Sequence, residues 1–161
     1  MGLDISLRLL KPIPPEDVKP NEHGDVDFPF WVHTTPDVDF PGRDEGAVGT
    51  FVIAKDRHVQ SWSYSGYTRF REMLAAFAGW PSIQAAWGAE EGCLWELLNF
   101  RDNEGVLGPV VCSKLLLDMR ALSERGTEPL AHHRAAFYAL LSAFEESATA
   151  PEGLVGILEF H

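Results

Sequence analysis

A turn that carries two arginines is the stretch of this sequence best suited to chemistry. It reads Trp62-Ser63-Tyr64-Ser65-Gly66-Tyr67-Thr68-Arg69-Phe70-Arg71. Small residues lead here from a strand into a helix, and the free backbone N–H groups at a helix start attract anions. Arg69 and Arg71 add guanidinium groups that bind phosphate or carboxylate. The pattern predicts an anion site, and the alternative is an ordinary N-cap followed by solvated arginines.

A second polar stretch, Asp102-Asn103-Glu104-Gly105, links two predicted helices. Closely spaced oxygen atoms suit a hard cation, but a calcium loop of the EF-hand type needs a bidentate Glu at its twelfth position. Counting from Asp102, that position is Ser113. Asp and Asn also favour turns, because their side chains bond to nearby backbone. We therefore interpret this link as an interhelical turn and expect no metal.

The other titratable residues match no catalytic or metal-binding pattern. One group in the first third of the chain is interpreted as a solvent-exposed strand face: His23, Asp25, Asp27, His33, Asp37 and Asp39. His132 and His133 lie about 100° apart on a helix, so they cannot share a metal, and we expect His133 in the core. The chain has no glycine-rich phosphate loop and no G-x-S-x-G motif. We expect no cofactor and favour a protein that is not an enzyme.

Aromatic residues and a lysine complete the set of candidates. Trp62, Tyr64, Tyr67 and Trp80 flank one predicted helix. They could line a pocket or a partner groove, although core packing is the interpretation that we favour. Lys114 lies four residues before Asp118, which predicts a surface ion pair on a helix.

Strands are predicted where apolar residues alternate with polar ones. Leu3, Ile5, Leu7 and Leu9 form such a pattern, which ends at the prolines from Pro12 onward. A weaker alternation over 26–32 contains Pro29 and predicts an edge or irregular strand. Residues 34–49 are predicted as a loop, 51–54 and 58–62 as a hairpin around Lys55-Asp56-Arg57, and 153–160 as a final strand.

Helices are predicted where the apolar spacing changes to three and four. The first begins near Gly66, with Ser65 as its cap and Gly79 at its end. Further helices are predicted over 92–100, from Pro109 to Gly126, and from Thr127 through Phe144. We expect one α+β domain over 1–161, with a mostly antiparallel sheet of about four to five strands and about four helices packed on one face.

The acidic balance restricts the classes of partner. The formal net charge is −11, from 24 acidic and 13 basic residues. This field repels nucleic acid and anionic lipid, whereas a basic protein partner is compatible with it. Cys93 and Cys112 are the two cysteines, and both are expected to be small buried apolar residues. With no leader pattern and no long apolar run in the sequence, we expect a cytoplasmic protein without membrane contact.

Three short motifs together resemble a known group of proteins. They are Met1-Gly2-Leu3-Asp4-Ile5, then Tyr64-Ser65-Gly66-Tyr67 with Phe70-Arg71, then Asp102-x-Glu104-Gly105 with Gly108-Pro109. In these motifs the chain is similar to small hypothetical proteins of bacterial and phage genomes. That group has no assigned activity, so the resemblance implies no catalytic residue. It implies that the turn at Tyr64–Arg71 and the link at Asp102–Pro109 matter together. Asn103 stands where the resemblance implies a small residue or cysteine, which argues against metal chemistry there.

Two functional hypotheses from different classes follow. The first, which we favour, is a noncatalytic acidic protein that docks on a basic protein. The second is a small-molecule or anion site, with or without catalysis, which requires the turn and the link to converge in one cleft. Its residues would be Tyr64, Ser65, Tyr67, Arg69, Arg71, Asp102, Glu104 and Lys114. A third option is a folded module whose role depends on its genomic neighbours, and the sequence gives no indication of oligomeric state.

Overall fold

A computed structural model describes residues 2–34, 40–100 and 104–161 of the chain. Within these ranges five strands form one antiparallel sheet in the order β2-β3-β1-β5-β4. The strands are β1 (Gly2–Pro12), β2 (Phe30–His33), β3 (Gly49–Ser63), β4 (Gly105–Leu107) and β5 (Val155–Phe160). The antiparallel sheet and its helices confirm the predicted α+β class.

Five α-helices occur in the described ranges, together with two short 3-10 helices. The α-helices are α1 (Tyr64–Phe77), α2 (Ile83–Trp87), α3 (Trp95–Asn99), α4 (Pro109–Glu124) and α5 (Arg134–Ala148). The 3-10 helices are Pro15–Asp17 and Glu128–His133. The main core lies between the helices and one face of the sheet.

The alternation in β1 builds this main core as predicted. Leu3, Ile5 and Leu7 are fully buried and pack in one cluster with Phe70 of α1 and Phe137 of α5. Because successive side chains of a strand point to opposite faces, the residues between them belong to the other face of the sheet.

A smaller second core covers part of that other face. It contains Leu10 of β1, Phe51 of β3, Val106 of β4 and Ile157 of β5, with Ala47 from the preceding loop packed against them. Register shifts between Ile5 and Ser6 and between Leu9 and Leu10 interrupt the pairing of β1 with β3. The residues skipped at the two shifts, Val59 and Ala54, belong to β3, so β1 keeps its alternation and Leu10 lies on the face opposite Leu9.

The predicted hairpin around Lys55-Asp56-Arg57 is wrong. Residues Gly49–Ser63 form one continuous strand, and Asp56 pairs in register with Arg8 at its centre. The charged triplet is tolerated inside the strand because each charge has a partner. Asp56 lies 3.6 Å from the Nε of Arg8, and Lys55 and Arg57 both contact Glu146 of α5.

Asp102 and Asn103 of the predicted interhelical turn lie outside the described residues, and Gly105, its last residue, begins a strand instead. Gly105–Leu107 is an edge strand that pairs with Phe160, Glu159 and Leu158 of β5, so β4 was missed by the sequence pattern. Three residues are too short a run for alternation to be recognised. The other edge, β2, begins after Pro29, in agreement with the prediction of an edge strand there.

Two helix boundaries differ from the predictions for local reasons. The side chain of Ser63, not Ser65, caps α1 by accepting from the N–H of Gly66 at 3.1 Å. The helix predicted from Thr127 is divided into the 3-10 helix Glu128–His133 and α5, and Ala131, with φ 46°, kinks the chain within the 3-10 helix. Gly79 does end α1: its φ is 94°, and its N–H donates to the carbonyl of Ala76.

Candidate functional site

The turn at Tyr64–Arg71 separates its two arginines. Arg69 is exposed, whereas Arg71 is buried with 6% of its surface accessible. Residues two positions apart on a helix do not share a face. The Nη1 of Arg71 donates to the backbone oxygen of Phe100 at 2.8 Å, and its guanidinium lies 4.8 Å from the centre of the Tyr67 ring. The structure therefore does not bring the two guanidinium groups to one anion.

The two tyrosines of the turn differ in the same way. Tyr64 is partly exposed at the start of α1, while Tyr67 is 1% exposed in the main core, beside Trp62 and Phe160. Among the described residues, the buried Tyr67 hydroxyl has no hydrogen-bond partner. Burial raises the pKa of this hydroxyl well above its usual value, and the neighbouring Arg71 charge opposes that shift only in part. Core packing, the favoured interpretation, describes Tyr67 well.

The remaining candidates of the predicted site lie elsewhere or face solvent. Ser65 is exposed, with its hydroxyl 3.3 Å from that of Ser63. Glu104 is exposed immediately before β4. Asp102 lies outside the described residues, as do Asp37 and Asp39.

Lys114 is bound within a network between α3 and α4. Its Nζ lies 2.5 Å from Glu96, 2.9 Å from Asp118 and 2.7 Å from the carbonyl of Gly92. Burial acts to lower the pKa of Lys114, but the hydrogen bonds to both carboxylates outweigh it, and the pKa is raised. The predicted pair with Asp118 exists, although it is half-buried and structural rather than an ordinary surface pair.

Comparison with family models, curated proteins and solved structures finds no match for this chain. Its own geometry must therefore indicate the site.

An apolar groove of about 480 Å³ opens at one end of the sheet. The end of β1, the start of β3 and the start of β5 form its walls, and the second core lies beneath it. Its apolar lining includes Pro12, Ile13, Pro15, Val48, Phe51 and Val155. The sequence pattern does not predict this groove, because the prolines from Pro12 onward indicate only the end of a strand. The apolar Ile13 and Val48 within polar, turn-rich segments were the available signal.

An exposed acidic segment lies beside this end of the sheet. We define the acidic segment as residues 14–29, which connect β1 to β2; its carboxylates are Glu16, Asp17, Glu22, Asp25 and Asp27, all of them exposed. Its loop is ordered by Asn21, whose Oδ1 accepts from the N–H groups of His23 and Asp25 at 2.9 and 3.0 Å. The Nδ2 of Asn21 donates to Asp27 at 3.2 Å. The segment is thus a shaped acidic surface.

Beside Asp27, Phe28 is 74% exposed, the largest exposed fraction among the large apolar residues that the structure describes. Aromatic residues are enriched at protein interfaces, although a single exposed ring is also common on protein surfaces.

Many cations that the structure describes form ion pairs with other residues of the chain. Ion pairs connect Arg8 to Glu159, Lys55 and Arg57 to Glu146, and Arg120 to Glu145. Arg71 and Lys114 are bound as described above. All of these paired cations lie outside the acidic segment. Within the segment, one lysine, Lys19, accompanies five carboxylates.

The polar face of the sheet holds further histidines and serines without forming a metal site. Ser6 contacts the His161 ring at 3.1 Å, and Ser61 contacts Asp4 and the His58 ring. Over the described ranges, no three His, Cys, Asp or Glu side chains converge as metal ligands would. Nor do these ranges contain a helix with both the length and the apolar character needed to cross a membrane.

Proposed function

We propose that this protein is a noncatalytic acidic binding protein whose partner is a basic protein. The observation that carries the proposal is the arrangement of charge: five exposed carboxylates share the ordered acidic segment with one lysine. Such a surface attracts cations over several ångströms and speeds encounter with a positively charged partner. The same field repels the phosphate backbone of nucleic acids.

The ordering of the segment supports recognition over simple solubility. Asn21 holds the chain from His23 to Asp27 through side-chain hydrogen bonds. A preorganised loop loses less conformational entropy when it binds, so more of the interaction free energy is retained as affinity. Solubility alone requires only charge and no such order.

We also propose a cytoplasmic location. Cys93 and Cys112 are both free thiols, which suits a reducing compartment. Burial raises the pKa of the Cys112 thiol to about 12 and also raises that of Cys93. Both groups are therefore protonated and unreactive near neutral pH, which fits structural cysteines.

Binding of labelled poly-lysine and pull-down of basic proteins from a lysate test the main proposal at two ionic strengths. The variant removes four carboxylates of the acidic segment: Glu16→Gln, Asp17→Asn, Glu22→Gln and Asp25→Asn. The matched control removes four exposed carboxylates elsewhere: Glu72→Gln, Glu90→Gln, Glu91→Gln and Glu124→Gln. Each set changes the net charge equally.

We expect binding at about 20 mM salt that weakens by at least tenfold at about 300 mM, because ions screen exposed charges. The acidic-segment variant should lose most of this affinity and the control should keep it. Absence of any retained cationic partner at low salt would contradict the proposal, as would equal losses in the two variants.

A second candidate function is binding of a small molecule or anion at the Tyr64–Arg71 turn and the Asp102–Pro109 link. The observation that favours it is the pair of buried polar atoms, the Tyr67 hydroxyl and the Arg71 Nε, which lack hydrogen-bond partners in the described part of the chain. Arg71 also bonds to Phe100, two residues before the link. Thermal-shift measurements with phosphate, nucleotides and divalent ions test it, and no stabilisation at millimolar concentration would reject it.

A further inference from the structure

The apolar groove has the lining of a binding site for a hydrophobic side chain. Its floor includes Phe51 of the second core and Val155, which packs against that core; its rim includes Val48, which is 44% exposed. The volume of about 480 Å³ lies in the range of pockets that enclose small ligands. When a partner displaces water from an apolar surface that the fold holds open, the free energy falls and binding is favoured.

Three carboxylates are close in sequence to residues that line the groove. Glu16 and Asp17 follow Pro15 in a 3-10 helix, and Glu45 precedes Gly46; all three side chains are exposed. The neighbouring cation, Lys11, belongs to the opposite face of the sheet, because it alternates with Pro12 along β1. The groove therefore combines an apolar floor with a negatively charged border.

We propose that the groove binds an apolar side chain carried on a lysine- or arginine-rich segment of a protein partner. The inference rests on the proposed function and adds the recognition element that net charge cannot supply. Charge steers many cationic partners toward the acidic segment, whereas the groove discriminates among them by apolar contact. A partner that is basic but lacks an apolar residue would then bind weakly and nonspecifically.

Two labelled synthetic peptides serve as probes. One is rich in lysine and carries two leucines; the other has serine in place of both leucines and the same charge. We expect the leucine peptide to bind about tenfold more tightly, as one well-buried apolar side chain allows. In amide NMR spectra of the protein, the leucine peptide should selectively shift the resonances of Val48, Thr50 and Val155.

The decisive variant is Ile13→Gln with Val48→Gln, which leaves the net charge unchanged. Val48 is exposed and Ile13 is half-buried at the groove, with its backbone N–H donating to Thr50. That bond does not involve the Ile13 side chain, so the fold should persist. The matched control is Leu117→Gln, which alters an apolar residue on α4 that is also exposed. The groove variant should remove the advantage of the leucine peptide, and the control should retain it.

The outcomes separate this inference from the proposed function. Equal binding of both peptides at low salt would reject the groove while leaving the acidic binding protein intact. Failure of either peptide to bind at low salt would reject both. A leucine advantage that survives in the groove variant would place apolar recognition elsewhere and overturn the inference. Sedimentation showing a dimer that the groove variant dissociates would identify a second copy of the chain as the occupant, which also overturns it.

Discussion

The guanidinium of Arg71 reaches across the core and donates to the backbone oxygen of Phe100, with 2.8 Å between Nη1 and O. This bond fastens α1 to the end of the α3 region, immediately before the link to β4. The arginine stem is buried and the guanidinium stacks over Tyr67. Arg71, for which the sequence predicts anion binding, thus holds two elements together.

Replacing Arg71 by alanine should destabilise the fold by about 2–3 kcal/mol. The change removes a charged hydrogen bond and the packing of the stem, and leaves the Phe100 carbonyl without this donor. Urea unfolding monitored by circular dichroism measures the loss. Arg69→Ala is the control and should remain within about 0.5 kcal/mol, since its side chain is exposed. Similar losses for the two arginines would contradict the assigned roles.

The cap of α1 gives a second prediction. Ser63→Ala should cost about 1 kcal/mol, because the Gly66 N–H loses the hydroxyl that caps it. Ser65→Ala, which changes the residue expected from sequence to be the cap, should cost less than about 0.5 kcal/mol. Thermal unfolding of both variants tests the order, and a larger effect at Ser65 would restore the sequence-based assignment.

Patterns within single elements were predictable from the sequence. The alternation of Leu3, Ile5 and Leu7 predicted a half-buried strand, and the spacing of Tyr67, Phe70 and Leu74 predicted the buried face of α1; all six are buried. These signals are local, since each follows from the geometry of one strand or one helix.

Features that depend on distant partners were not predictable in this way. The charged centre of β3 continues as strand because Glu146, 91 residues from Lys55, neutralises it. Arg71 differs from Arg69 because its hydrogen-bond acceptor, Phe100, lies 29 residues away. The groove is assembled from the ends of three strands and the loop before β3. The spacing of residues within one strand or helix does not indicate which distant segments meet in the fold.

A third prediction concerns Asp118, which accepts from the backbone N–H of Leu94 at 2.8 Å as well as from Lys114. Leu94 is fully buried with φ 57°, a left-handed conformation that is unfavourable for leucine. Asp118→Ala should therefore cost about 2 kcal/mol, because a backbone donor in the interior loses its acceptor.

Glu96→Ala is the comparison for Asp118, since it contacts the same lysine but supports no strained backbone. It should cost less than about 1 kcal/mol, because Lys114 is partly exposed and solvent screens the pair. Asp118→Asn should recover part of the loss, since the amide oxygen can still accept from Leu94. Equal effects of the two alanine variants in urea unfolding would show that the Leu94 bond contributes nothing.

The last prediction is a pH dependence at Glu146, whose carboxylate contacts Lys55 and Arg57 of β3. The hydrogen bond from Lys55, opposed by burial and assisted by Arg57, lowers the pKa of Glu146 from its ordinary value of 4.5.

A carboxyl group with a lowered pKa in the folded state stabilises the fold above its unfolded pKa, and this contribution is lost as the pH falls through the folded pKa. Glu146→Gln should therefore reduce the free energy of unfolding by up to about 1 kcal/mol at pH 7, and the difference should shrink steadily below about pH 4.5. Urea unfolding across this range measures it, with the exposed Glu152→Gln as the control that should show little difference at any pH. A deficit of constant size down to the acid limit would mean that the Glu146 charge does not stabilise the contact of α5 with β3.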